Sequence, residues 1–309
     1  MNRIAGIVTA ALGLIIAILG AVKIVPGITG TGVFLILFGG LVIGLSFIDR
    51  PETEDVEKMS TAATLGNIFF APSDTFKNLR RHPRFLVALL IMTVLSAVYT
   101  NLFFQRLGAE RVVNFTIDKT LEMGMIANNE EAKKQVEAGR AQAILDAKSP
   151  VLRATQTVST FAGYGFTYAI LAGIFMLFAL AMGGKINFFQ AFSVAVYAAF
   201  PVSVIKFVLN TLLLFLKDPT EIHPVLGQQS LVQDSLNFLV LPAEHPVIFT
   251  LLGATSLLGL YWVWLNATGL KNAGERVTGT IAWSASLGIF FVIMLLGVVM
   301  ATLFPSFIS

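Results

Sequence analysis

Few residues in this chain are of a type that can do chemistry, and their spacing restricts what they can do. The three histidines are His82, His223 and His245. Glu221 lies two positions before His223 and Glu244 immediately before His245, a nitrogen–oxygen donor set of the kind hard metals accept. Both histidines precede prolines, Pro224 and Pro246, so an ordered turn explains them equally well and no metal is expected. Cysteine is absent, which excludes disulfides, thiolate nucleophiles and Cys-ligated metals. There is no HExxH, nucleophile elbow, Walker loop or Gly-rich dinucleotide fingerprint. No catalytic residue and no cofactor are therefore expected, and the chain reads as a non-enzymatic protein.

The more informative polar residues stand inside apolar runs. No Asp or Glu does so, which removes the carboxylate that proton-coupled transporters usually place there. Lys206 is the exception among basic residues. It lies ten residues from the end of its apolar run, about 15 Å deep at 1.5 Å per residue, beyond easy snorkelling. Ser203, Lys206 and Asn210 share one helix face, Gln190, Ser193 and Tyr197 share another, and Pro201 between the two stripes should kink the helix. A polar cavity around the kink is one reading. A buried lysine held by carbonyls and hydroxyls is the other. Thr255, Gly259, Trp262 and Asn266 also align, a pattern more typical of helix packing than of a ligand site.

These residues are carried by elements that composition identifies. Of the 309 residues, 56% are hydrophobic and 13% are charged, and mean hydropathy is +0.79. Seven stretches, near 4–23, 31–48, 85–104, 157–182, 188–216, 246–268 and 279–304, are long and apolar enough to cross about 30 Å of hydrocarbon. Backbone amides in lipid must be satisfied within their own segment, so these are helices. The expected fold is all-α, a polytopic transmembrane helical bundle of seven spans. Met1-Asn2-Arg3 before an apolar run is reminiscent of a signal peptide, but the run to Val22 is long and lacks a clean cleavage site, so a retained span is expected. The net charge of +3 reflects basic residues at membrane edges, and no nucleic-acid partner is expected.

Spans one and two form a hairpin over 1–48, turned at Pro26-Gly27-Ile28-Thr29-Gly30, in which Gly40 and Gly44 form a GxxxG pair suited to packing inside the hairpin. A polar linker over 49–64 carries Asp49, Glu52, Glu54, Asp55 and Glu57. A membrane domain follows over 65–309. At its start, Ser73 and Asp74 suit a helix N-terminus and Pro83 its end. Phe76 and Leu79 fall on one face beside Lys77, Arg80 and Arg81, with Arg84 just beyond. This reads as an interfacial helix touching lipid, or as an ordinary juxtamembrane anchor. Loop 105–156 ends in a solvated helix over 129–148. Loop 217–245 should pack on the bundle, because Leu226, Leu231, Leu236, Phe238, Leu239 and Leu241 need cover. Lys and Arg tie at ten on each side, and the cluster Lys77 to Arg84 decides for a cytoplasmic N-terminus and an outer C-terminus.

Three stretches carry a resemblance. They are Phe70-Ala71-Pro72-Ser73-Asp74-Thr75-Phe76 through Arg80-Arg81-His82-Pro83-Arg84-Phe85; Gly183-Gly184-Lys185 through Phe188-Phe189-Gln190-Ala191-Phe192 to Tyr197-Ala198-Ala199-Phe200-Pro201; and Leu260-Tyr261-Trp262-Val263-Trp264 to Gly269-Leu270-Lys271-Asn272-Ala273. In order and spacing, over about 65–304, they resemble the Yip family (Ypt/Rab-interacting proteins), and specifically its bacterial members. The resemblance implies a five-helix core with a cytosolic N-terminus and an opposite C-terminus, preceded here by the two-span hairpin. Eukaryotic members are linked to small GTPases, membrane traffic and hetero-oligomers. Their long cytosolic N-terminal region is replaced here, so small GTPase binding is not carried over. The expectation is an integral protein of a bacterial cytoplasmic membrane that organises membrane partners or membrane shape. Its partners would be the lipid bilayer and, through homo- or hetero-oligomers, other membrane proteins. The alternative is a transporter or channel for a small or anionic solute that uses a polar cavity around Lys206.

Overall fold

The computed structural model describes residues 2–25, 27–47 and 57–304. Among them it is helical, with a single isolated bridge between Lys185 and Glu275. In chain order the helices are α1 (Asn2–Ala21), α2 (Thr29–Leu45), α3 (Thr61–Phe70), α4 (Pro72–Arg81), α5 (Leu86–Leu107), α6 (Ala109–Glu122), α7 (Gly124–Ala127), α8 (Glu130–Ala138), α9 (Arg140–Lys148), α10 (Pro150–Ala181), α11 (Phe188–Leu216), α12 (Leu226–Gln229), α13 (Pro246–Gly253), α14 (Leu257–Ala273) and α15 (Gly279–Leu303). Five of these, α1, α5, α10, α11 and α15, are long and apolar enough to cross a membrane. The predicted span 246–268 is instead a pair, α13 and α14, bent by 47° at a short break. With 17 residues, α2 is about 25 Å long at 1.5 Å per residue, short for a full crossing. Half of linker 49–64, residues 49–56, and the turn's Pro26 lie outside the described residues.

The chain forms two compact units, and the division falls within α5, α10, α11, α14 and α15. The first comprises Met1–Val94, Ala154–Ser203 and Trp262–Gly288. Its hairpin is built on glycine contacts that the GxxxG expectation misplaced. Gly40 and Gly44 face open space. The close approach uses Gly6, Gly13 and Gly20 on α1 against Gly32 and Gly39 on α2. A Cβ at Gly13 would lie 2.6 Å from the Ile36 backbone nitrogen, and one at Gly39 would lie 2.6 Å from that of Ala10. Without Cβ atoms the two backbones meet directly, the contact that drives helix association where lipid offers no hydrophobic gain. The hairpin is not a separate body. Phe34 meets Phe166 edge-on at 5.5 Å and Phe38 meets Phe192 at 6.0 Å, docking α2 on α10 and α11. Thus the boundary expected at 48 is not where the compact units divide.

The second unit comprises Leu95–Arg153, Val204–Tyr261 and Ile289–Ser309. Its core gathers Tyr99, Phe103, Leu107, Val112, Leu214, Ile222 and Leu231. The solvated helix expected over 129–148 is present but broken at Gly139 into α8 and α9. Loop 217–245 packs only in part. Leu231 is buried, whereas Leu236, Phe238, Leu239 and Leu241 are exposed, against the expectation that they need protein cover. The bend between α13 and α14 has a polar cause. Asp234 accepts hydrogen bonds from Ser256 Oγ at 2.7 Å and from the Leu258 N–H at 2.8 Å, capping α14 afresh, while Thr255 accepts from the Leu236 N–H.

Candidate functional site

Around α4 the local sequence folds as its capping residues require. Ser60 caps α3 by accepting from the Ala63 N–H, and Pro72 opens α4 at the position where its missing N–H costs nothing. Asp74 sits in the first turn of α4 and pairs with Lys77 at 3.1 Å, while Arg80 and Arg81 sit in the last turn, where cations suit the helix dipole. The opposite face does not lie on lipid. Thr75, Phe76, Asn78 and Leu79 are all buried, and Phe76 packs where Gly269 leaves room. This corrects the lipid-contact reading for Phe76: the apolar face is covered by the protein's own helices, and only the Lys77 side is left outward.

Arg84 departs further from expectation. Pro83 ends the approach, and the guanidinium turns inward, leaving the residue only 6% exposed. Its Nη2 donates to the Met59 carbonyl at 2.7 Å, to Thr64 Oγ1 and to Asn78 Oδ1 at 3.4 Å. Asn78 in turn donates to the Glu57 carbonyl at 2.7 Å, so one buried polar knot ties the residues before α3 to α4. Among the described residues Arg84 Nε has no hydrogen-bond partner and no carboxylate pairs with the side chain. Burial lowers its pKa. Beside it is a cavity of about 220 Å³ lined by Ile4, Ala5, Thr61, Arg84, Phe85, Leu86, Val87 and Tyr197.

A surface cluster stands on the other side of α4. Glu275 pairs with Arg80 at 3.4 Å and with Lys185 at 3.7 Å, and the Lys185 and Glu275 backbones exchange hydrogen bonds at 2.7 and 2.6 Å. Gln190, assigned by sequence to a polar stripe, serves as a capping residue. Asn187 and Gln190 bond each other's backbone N–H reciprocally, and Gln190 Nε2 also donates to the Arg80 carbonyl at 3.0 Å. The spacing Asn187-x-x-Gln190 is a capping box legible in the sequence.

The residues expected to form a polar cavity are used separately. Pro201 lies inside α11, which runs through it. Ser203 Oγ donates to Met92 Sδ at 3.4 Å. Asn210 Oδ1 accepts from the N–H groups of Leu231 at 2.8 Å and Val232 at 3.0 Å, fastening the loop after α12. Lys206 is half-buried and makes no hydrogen bond or ion pair among the described residues, so neither Ser203 nor Asn210 holds it. In the loops, His223 Nδ1 accepts from the Val225 and Leu226 N–H groups, the turn reading of that histidine. Burial lowers the His223 pKa, with a smaller contribution from Lys119. Among the described residues no three His, Asp or Glu gather as a metal site.

The model of the Yip1 domain matches residues 66–301, from the middle of α3 to near the end of α15. The chain belongs to the Yip1 domain family. Within that domain lie the Phe76–Gly269 packing, the buried Arg84 and the capping box that opens α11. No curated protein and no solved structure matches the chain. Family membership and the long apolar helices make this an integral membrane protein whose helices meet the bilayer. On α15 the exposed side chains include Trp283, Phe291, Leu295, Leu296, Val299 and Met300, an apolar face suited to lipid.

Proposed function

We propose that this Yip1 domain protein is a non-enzymatic membrane organiser that holds partners or bilayer shape through its helices. The observation that carries this reading is how the polar side chains are spent. Arg84, Asn78, Gln190 and Asp234 each fasten a helix end to a neighbouring segment, and Asn210 fastens a loop to the body of α11. A scaffold needs fixed loops and outward apolar faces. A transport path needs mobile polar groups converging at depth. We read the chain as a seven-span, bacterial-type member. In this reading α2 completes a crossing hairpin with α1, and α13 and α14 form one broken span. Support comes from the glycine-lined pairing of α1 and α2 and from the apolar character of both helices. The basic residues Lys77, Arg80 and Arg81 then face the anionic inner leaflet of the cytoplasmic membrane, with the N-terminus cytoplasmic, the C-terminus outside, and self- or hetero-association within the membrane.

The test uses the full chain in two settings, native membranes and, after purification, proteoliposomes. A photo-cross-linking residue at Val292 on the outward face of α15 should give discrete adducts in native membranes. Proteoliposomes carrying the protein should show no flux of chloride, phosphate or lactate above empty vesicles. Saturable flux of any of these anions, lost in Lys206→Met, would overturn the organiser and establish a transporter instead.

A further inference from the structure

We propose that the cavity beside Arg84 binds an anionic amphiphile from the bilayer, its acidic head on the guanidinium and its acyl chain leaving past Ile4 and Val87. This goes beyond an organising role, because it assigns a ligand to a specific place in the first unit. The argument starts from the cation. An arginine that is 6% exposed cannot shed its proton, and a buried charge without a counter-charge is costly. Among the described residues its partners are all neutral oxygens, and its Nε has none. The side chain lines a cavity of about 220 Å³, several times the roughly 30 Å³ that one water occupies in the liquid.

The lining selects among anions. Apart from Arg84, Thr61 and Tyr197, every wall residue is apolar. Tyr197 is 1% exposed, and its hydroxyl makes no hydrogen bond among the described residues, which leaves a second donor free near the cation. Ile4 and Val87 are 67% and 41% exposed and lie on α1 and α5, two of the helices long enough to cross the membrane. The mouth therefore opens on surface that lipid covers. A small hydrated anion would leave the apolar walls wet, and a zwitterionic lipid would bring a second charge to a site with no carboxylate among its described lining residues. An acid group carried on a hydrocarbon chain satisfies both parts of the site. That description fits a phosphate-headed lipid and a fatty-acid carboxylate alike.

Thermal unfolding of the delipidated full-length protein in neutral detergent tests this with four probes: phosphatidylglycerol, oleate, phosphatidylcholine and inorganic phosphate. The first two should raise the midpoint by several degrees, and the last two should not. Whichever of phosphatidylglycerol and oleate acts at lower concentration identifies the head as phosphate or carboxylate. Arg84→Gln should raise the half-saturating concentration about tenfold or more, since charge-assisted bonds are the strong ones, and Arg84→Lys should fall between. Should Arg84→Gln fail to fold, Val87→Trp carries the test, because it narrows the mouth at an exposed position and leaves the cation in place. Equal stabilisation by phosphatidylcholine, or binding indifferent to both substitutions, would overturn the proposal. So would a wild type deaf to every probe that becomes responsive when Glu52, Glu54 and Asp55 are neutralised together, since the chain's own acidic segment would then be the partner.

Discussion

Arg84 and Arg140 show how differently the two compact units use the same side chain. Arg140 stands at a surface and collects carboxylates. It donates to Glu137 at 2.9 and 2.8 Å, to Asp118 at 2.7 Å and to Asn114 at 3.2 Å, clamping α6 to the α8–α9 break. Those bonds raise its pKa, Glu137 contributing first and Asp118 next. Arg84 is buried, has only neutral acceptors among the described residues, and its pKa is lowered by desolvation. Around Arg84 the first unit is built by close approach, with glycine faces, an aromatic dock and one polar knot. Around Arg140 the second unit is built by tethers, in which single side chains tie loops to helix ends. Burial amplifies an interaction in the first case, and water screens it in the second. Damage should therefore be large and spread widely in the first unit, and smaller and local in the second.

The largest effect is expected at Gly32. A Cβ there would collide with the backbone of Ala17, which cannot rotate aside as a side-chain tip can. Gly32→Leu should force α1 and α2 apart and cost about 3 kcal/mol, the upper end of overpacking penalties. Gly40→Leu on the same helix, where nothing lies within 4 Å, should cost almost nothing. Thermal unfolding of the two variants compares them directly. Equal melting would mean the hairpin is not held by backbone contact, and the contrast between units would lose its best case.

A middle-sized effect belongs to Asn210. Asn210→Ala removes the acceptor for the Leu231 and Val232 N–H groups, of which the first is buried, and each orphaned donor costs about 1–3 kcal/mol if it stays dry. Hydrogen exchange should rise at residues 230–233 and stay unchanged around Arg84. A global loss of protection would show that the tether supports the whole bundle.

The sequence carried the helices better than their partners. Run length alone locates the five long crossing helices, because satisfying backbone in lipid leaves no other structure. Periodicity places Phe76 and Leu79 on one face of α4, but it does not say whether lipid or protein covers that face. Arg84 reads as the last member of a basic cluster, and only the turn at Pro83, which sends the side chain inward, sets it apart from Lys77 and Arg81. Gly40 and Gly44 satisfy a local motif. The glycines that matter repeat every seven residues, at Gly6, Gly13 and Gly20 and again at Gly32 and Gly39, and their meaning depends on how two helices pair. Ser203, Lys206 and Asn210 do share a helix face by spacing, yet the hydrogen-bond partners of Ser203 and Asn210 come from distant stretches of chain that spacing does not reveal.

The smallest expected effect separates the units by pH. His223 holds the start of α12 as a neutral acceptor, its Nδ1 taking the N–H groups of Val225 at 3.2 Å and Leu226 at 3.1 Å. Protonation would turn that acceptor into a donor facing two donors. With the folded pKa below the unfolded value of about 6.5, the folded state takes up the proton less readily than the unfolded chain. Stability tied to this residue is therefore complete above that value and declines as pH falls through it towards the lower folded pKa. Asp218 shifts the same way for a different reason: the hydroxyl and N–H of Thr220 hold its carboxylate low, so its contribution fades only at more acidic pH. Hydrogen exchange measured at pH 7 and pH 5.5, corrected for the intrinsic rate, should show loosening at residues 223–232 and none across α1 and α2. His223→Asn, which keeps a side-chain acceptor without a titrating ring, should flatten the response. Acid loosening of α1 and α2 as large as that at 223–232 would break the distinction between a unit built by backbone contact and a unit held by titratable tethers.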